Sequence, residues 1–282
     1  MKEDAISLQQ MIEENLILQN WRQQKKIFTE SLLICRKRPT KGSVHDLRVA
    51  VKKIRSYLRL KKKITGEDWK ALFSTILALF KSFGKLSDYD MSITLIKQQE
   101  RKEHLSFDNF REYLNVNRVL TRKWVRQDAI KFNPAELDAL EQQFNLELTD
   151  KEIFEKIIQY SISKIKKVAV LSRHFQRNAH KIRKQLKDVY HWLKICPEDF
   201  TENFIRIKSF DQMLKNLGSW QDHDVLRRKI NQYTKDMAKN EEKGILKTLD
   251  TKLAGVQVDL LKKAKSKWKA ATDQKVNKKA AI

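Results

Sequence analysis

Histidine, arginine and lysine recur at helical spacing in the stretch VHDLRVAVKKIRSYLRLKKK, residues 44–63. At about 100° per residue, His45, Arg48, Lys52, Arg55 and Arg59 fall in one stripe about 80° wide. Cations held in a row on a rigid element suit a multivalent anion, with Arg forking onto paired oxygens and Lys acting as a point charge. The bland alternative is that Lys and Arg at this spacing form a solvated helix face. A second copy argues against it: His180, Arg183, Lys187, Tyr190 and Lys194 repeat the 0, 3, 7, 10, 14 intervals.

Two pairs of carboxylates, Asp88/Asp90 and Asp222/Asp224, offer a different chemistry, as ligands for a hard cation or as general acids and bases. Each pair follows a glycine, so helix capping is the leading reading and a buried carboxylate facing the basic helix the next. Arg and Lys around His45 and His180 disfavour a bound cation there. Gly84-Lys85 lacks the earlier glycine and the following Ser/Thr of a phosphate-binding loop, and no HExxH or GxSxG occurs. Most Trp and Phe sit at apolar helix positions; Trp268, among lysines, is the one placed to stack on a base.

The elements that carry these residues read as helices. Residues 5–37 hold helical periodicity and end at the turn Arg38-Pro39-Thr40-Lys41-Gly42, leaving Ser43 to cap the basic helix. Leu47, Val51, Ile54 and Leu58 form its apolar side. Thr65-Gly66 separates it from a helix over 67–83 that Gly84 would cap, and Ser87 or Asp88 would start the next, through Ile96. A further helix spans 107–132 and closes at Asn133-Pro134; residues 135–156, comparatively acidic, read as a linker leading into the next unit or as its start. The order then recurs, for Gly218 and Asp222 lie 134 residues beyond Gly84 and Asp88, and His180 lies 135 beyond His45.

Six Gly and three Pro in 282 residues, with almost no alternation of apolar and polar positions, leave little room for strands. The expected fold is all-α: two pseudo-symmetric four-helix bundles, residues 1–134 and 135–270, with a disordered basic tail over 271–282. Lys+Arg 59 against Asp+Glu 35 gives a formal charge of +24. Residues 44–63 carry +7, residues 160–194 carry +9 and residues 261–282 carry +7, so the excess is focused, as for a polyanion binder. Cys35 and Cys196 match no metal or redox spacing and read as reduced thiols. With no signal peptide and no run of 18 apolar residues, the expected location is the cytoplasm, without membrane insertion.

A helix opening His-x-x-Arg-x-x-x-Lys, present twice and each time followed by a Gly-x-x-x-Asp element, resembles the CHAD (conserved histidine α-helical domain) family. The resemblance runs from about residue 5 to residue 270. It implies two four-helix bundles related by pseudo-twofold symmetry, with basic helices lining a central groove for inorganic polyphosphate. On that pattern the expected ligands are His45, Arg48, Lys52, Arg55, Arg59, His180, Arg183, Lys187 and Lys194. Lys164 and Lys167, from the basic stretch before the second helix, join this polyphosphate-binding set. Tyr190 departs from the pattern, standing where the first half has Arg55.

The favoured reading is a non-enzymatic polyphosphate-binding protein that needs no cofactor or metal, either free in the cytoplasm or on polyphosphate granules. Its alternative is a nucleic-acid binder using the basic tail, since counterion release would drive that equally. A third reading is a metal-dependent phosphohydrolase built on the Asp pairs. Oligomeric state stays open.

Overall fold

The computed structural model describes residues 16–142, 144, 146, 148–201, 204–238 and 240–272. Among them every regular element is helical. Helix α1 (Leu16–Lys37) reaches α2 (Lys41–Thr65) through Arg38, Pro39 and Thr40. Thr40 rather than Ser43 is the N-cap: its Oγ1 accepts from the Ser43 amide at 3.1 Å, and the Ser43 Oγ accepts from the Thr40 amide at 3.0 Å. This reciprocal pair places Ser43 inside the helix, three residues past the cap. Gly66 ends α2 with φ 82°, a left-handed conformation that suits glycine, and its amide bonds the Lys62 carbonyl.

Helix α3 (Ser74–Glu103) is the main departure from expectation. It runs without a break through Gly84, Ser87 and Asp88, so Gly84 caps nothing and Asp88 starts nothing. It also begins later than residue 67. Its physical logic lies in the core. Ile76, Leu79, Phe83 and Leu86 bury in a large apolar cluster, whereas Ile93, Leu95 and Ile96 bury in a second, smaller one. The polar residues between them sit at the seam of the two clusters, and packing on both sides outweighs a glycine's cost of about 1 kcal/mol in a helix.

Helix α4 (Asp108–Lys131) stops before Asn133-Pro134, as expected. Of the two readings of 135–156, the stretch is no bare linker: it carries α5 (Ala135–Gln142), with Leu137 and Leu140 buried, and the start of α6 (Asp150–Leu171). Thr149 and Glu152 form the capping box of α6. After a turn of 3-10 helix at Ser172–His174 come α7 (Phe175–Leu193), the short α8 (Glu198–Thr201), α9 (Ile207–Asp236) and α10 (Asn240–Thr272). Helix α9 repeats the behaviour of α3. Phe210, Met213, Leu214 and Leu217 join the large cluster, Leu226, Ile230 and Tyr233 the small one, and the helix passes unbroken through Gly218 and Asp222.

Helices α1 with α2, α3 with α4, α6 with α7 and α9 with α10 pack as sequential pairs. Contacts of α2 with α7, and of α3 with α9, join the first and second parts of the chain. Both apolar clusters draw residues from both parts. Trp268, read as a base-stacking residue of the tail, is 5 % exposed and belongs to the large cluster; the residues beyond 272 lie outside the described ones. Cys35 and Cys196 are free and buried. No helix among the described residues is long and apolar enough to cross a membrane.

Candidate functional site

Helices α2 and α7 pack against each other at the centre of the molecule with α3 and α9 beside them, and their polar stripes meet there. Each stripe is rooted by the apolar offsets that share its helix: Leu47, Val51, Ile54 and Leu58 on α2, and Ile182, Leu186, Val189 and Leu193 on α7, are all buried. The crossing is held by the Trp192 Nε1, which donates to the Ser56 carbonyl at 2.8 Å, and by the Ser56 Oγ, which donates to the Asp188 carbonyl at 3.3 Å. A groove of about 140 Å³ opens alongside, lined by Lys52, Arg55, Arg59 and Phe80 from one part of the chain and by Arg183, Lys184, Lys187, Asp188 and His191 from the other. It shares Arg59, Lys184 and Asp188 with a wider basin of about 720 Å³, where Lys62, Lys63, Lys70 and Lys164 add further cations.

Arg48 lines neither the groove nor the basin, but it is fixed beside them against Phe80, which lines the groove. Its guanidinium lies 4.7 Å from the centre of the Phe80 ring and donates to the Phe80 carbonyl at 3.2 Å. Gly84 makes this possible, for a Cβ there would stand 2.6 Å from the Arg48 Nη1. The glycine therefore serves close approach rather than a helix end. Gly218, its counterpart by sequence, has nothing within 4 Å of such a Cβ.

The cations feel each other. Burial first, then Lys187, Arg48 and Arg183, push the Lys52 ammonium down to about 7. Burial and the neighbouring Arg183 and Arg48 bring Lys187 down to about 8. Arg48 and Arg183 are lowered by the same burial, against the attraction of Asp222 on both and of Asp88 on Arg48. Asp88 and Asp222 are raised by burial despite facing Arg48 and Arg183 respectively. They are half-buried carboxylates in a basic setting, with no capping role. Among the described residues no group of three His, Cys, Asp or Glu side chains is placed to hold a metal.

Other predicted residues are engaged or elsewhere. Asp188 accepts from Arg59 Nη1 at 2.9 and 3.0 Å and from Lys164 Nζ at 2.9 Å, so these two cations are partly neutralised where the groove meets the basin. Lys194 is exposed over the Tyr190 ring, whose hydroxyl donates to Asp211 at 2.9 Å, and Lys167 is exposed on α6. His45 and His180 are exposed as well and line neither the groove nor the basin. His45 instead borders a pocket with Ser87, Asp90 and Met91, and the His180 Nδ1 is 3.0 Å from the Gln221 Oε1.

Several lining residues escape a reading of the stripe alone. Lys184, Asp188 and His191 carry the α7 face on by steps of four and three, a signal visible once the stripe is allowed to widen. The His191 Nε2 and the Arg183 Nε are buried without a hydrogen-bond partner. Burial, then Lys187 and Lys53, hold His191 neutral, down to about 4. Lys229, lowered to about 8 by burial, lies 3.2 Å from the centre of the Tyr89 ring and faces Asp88.

A family model described as the CHAD domain matches residues 21–231. By sequence, no curated protein matches. Among solved structures, the CHAD domain from the plant Ricinus communis superposes with a TM-score of 0.64 at 14% identity, over 87% of this chain and 90% of that one. PptA from Streptomyces chartreusis superposes with a TM-score of 0.69 at 10% identity, over 90% and 98% of the two chains. At these identities the likeness to the two structures is one of fold.

Proposed function

This chain belongs to the CHAD domain family, and from that premise we propose that it binds inorganic polyphosphate in the groove between α2 and α7. One observation carries the reading: Arg48, Lys52, Arg183 and Lys187 crowd one partly buried space, and repulsion with burial depresses both lysines. An anion that reaches this space relieves the repulsion. A polymer with about one charge per phosphate would also follow the groove past Arg59 and Lys184 into the wider basin, which a single phosphate cannot span.

Binding without turnover is the proposed role. Asp88 and Asp222 would space the cations, each opposite an Arg, and among the described residues no clustered set of metal donors stands beside them. We also propose that residues 1–134 and 135–270 are duplicated four-helix units, each contributing one basic helix to the shared groove.

The test compares two charge reversals of equal size. Lys52→Glu with Lys187→Glu removes groove cations; Lys263→Glu with Lys265→Glu removes exposed ones on α10. Each groove substitution should cost about 1–3 kcal/mol, the usual worth of a hydrogen bond to a charged group. The α10 pair should leave affinity for long-chain polyphosphate nearly unchanged at moderate salt, with circular dichroism confirming helical folds. Equal losses would leave only a diffuse basic surface. Duplex DNA displacing the polymer at lower phosphate concentration would assign the groove to nucleic acid, and sustained phosphate release lost in Asp88→Asn would make the protein an enzyme.

A further inference from the structure

A second pocket, of about 370 Å³, opens beside the first turn of α2, between α3 and α4. Lys97 and Arg101 enter it one turn apart from α3, Arg118 and Arg122 one turn apart from α4, and Lys41 from α2. None of these five lines the central groove. Lys41 Nζ donates to the Thr94 Oγ1 at 3.2 Å. Two features separate the pocket from an ordinary solvated face. The Nε atoms of Arg118 and Arg122 are buried with no hydrogen-bond partner. Their side chains, four residues apart on one helix, present two guanidinium forks side by side, the geometry suited to tetrahedral oxyanions.

One carboxylate shares the space. Asp90 is buried, and its Oδ1 stands 3.8 Å from Arg118 Nη1, beyond hydrogen-bond reach. Among the described residues no other carboxylate lies within 4 Å of these five cations. An ionised carboxylate only accepts hydrogen bonds and repels a bare anion, so it selects a ligand that brings its own proton. Orthophosphate has a P–OH, as does the terminal phosphate of a chain. Sulfate near neutral pH and the internal phosphates of a polymer have none.

We propose that this pocket is a second anion site for a single phosphate group bearing a P–OH, with Arg118 and Arg122 gripping its oxygens and Asp90 accepting its proton. The ligand is either free orthophosphate or the end of a polyphosphate chain. Lys41 and Asp90 also border the pocket of His45, so the site lies next to the start of the α2 stripe.

The test uses the intact protein and the side-chain Nε–H signals of Arg118 and Arg122 in 15N NMR, assigned by their loss in Arg118→Gln and Arg122→Gln. Orthophosphate, tripolyphosphate, cyclic trimetaphosphate and sulfate are titrated at about pH 6.5, close to the second ionisation of a phosphate ester near 6. Orthophosphate should shift both signals along one saturable curve, with sulfate and the endless trimetaphosphate at least tenfold weaker. A tripolyphosphate response equal to that of orthophosphate assigns the site to chain ends; a tenfold weaker one assigns it to free phosphate. Asp90→Asn should abolish the preference over sulfate, and Lys52→Glu with Lys187→Glu should leave the shifts intact, which separates this site from the groove. No saturable shift, or sulfate binding as well as phosphate, overturns the proposal.

Discussion

At the scale of single residues, the groove is a set of cations whose charges are partly suppressed. His45 and His180 are exposed and outside the groove lining, whereas Lys52 and Lys187 are pushed down to about 7 and about 8 from an ordinary value of 10.5. A bound polyanion favours the charged ammonium, so binding takes up protons above about pH 7. Affinity for polyphosphate should fall as pH rises from 7 to 9, by up to about tenfold per unit for each lysine that must be recharged. Titrations at constant ionic strength check this, and Lys52→Arg should flatten the profile. Stability runs the other way. Between the depressed values and 10.5 the unfolded chain binds more protons than the folded one, so the melting temperature of the free protein should rise over the same range.

At the scale of elements, the long helices α3 and α9 each cross from one apolar cluster to the other and carry their polar residues at the seam. This explains why Gly84 and Gly218, alike in sequence, should respond differently to the same change. Gly218→Ala meets nothing within 4 Å and should stabilise α9 by about 0.5–1 kcal/mol, the helix preference of Ala over Gly. Gly84→Ala gains the same preference but places a methyl 2.6 Å from the Arg48 guanidinium, which must shift from its place against the Phe80 carbonyl and ring. It should weaken polyphosphate binding severalfold while changing the melting temperature little. Equal affinity in the two variants would show that the Arg48 position does not matter to the groove.

At the scale of the whole molecule, the large cluster and the α2–α7 crossing tie the two parts of the chain together, and Asp188 is the polar anchor of that crossing. It holds Arg59 of α2 and Lys164 of α6 from its place on α7, with 7 % exposure. Asp188→Asn leaves two cations without their carboxylate, a change that costs about 3–5 kcal/mol where such a pair is fully buried and less here, with Arg59 one-third exposed. The same substitution removes a negative charge from the groove lining. Stability to denaturant should therefore fall while affinity for polyphosphate holds or rises. A parallel fall in both would mean that Asp188 shapes the binding geometry.

Periodicity and composition were enough to read an all-helical chain, to locate the basic helix 41–65 within a few residues and to find its echo 135 residues on, because those signals are local and repeat every three or four residues. The capping box of Thr149 and Glu152 was equally local, yet the acidic composition around it hid two helix segments. Gly84, Asp88, Gly218 and Asp222 read as helix ends because a glycine followed by an aspartate is the local signature of a stop and a start. Only the two apolar clusters on either side decide that the helices continue, and those clusters join residues far apart in the chain. The same holds for the site. The stripe could be seen on a helical wheel, but which of its members face a shared groove, which are tied to Asp188 and which point to solvent depends on how α2 meets α7, a contact between distant segments that no spacing along the chain records.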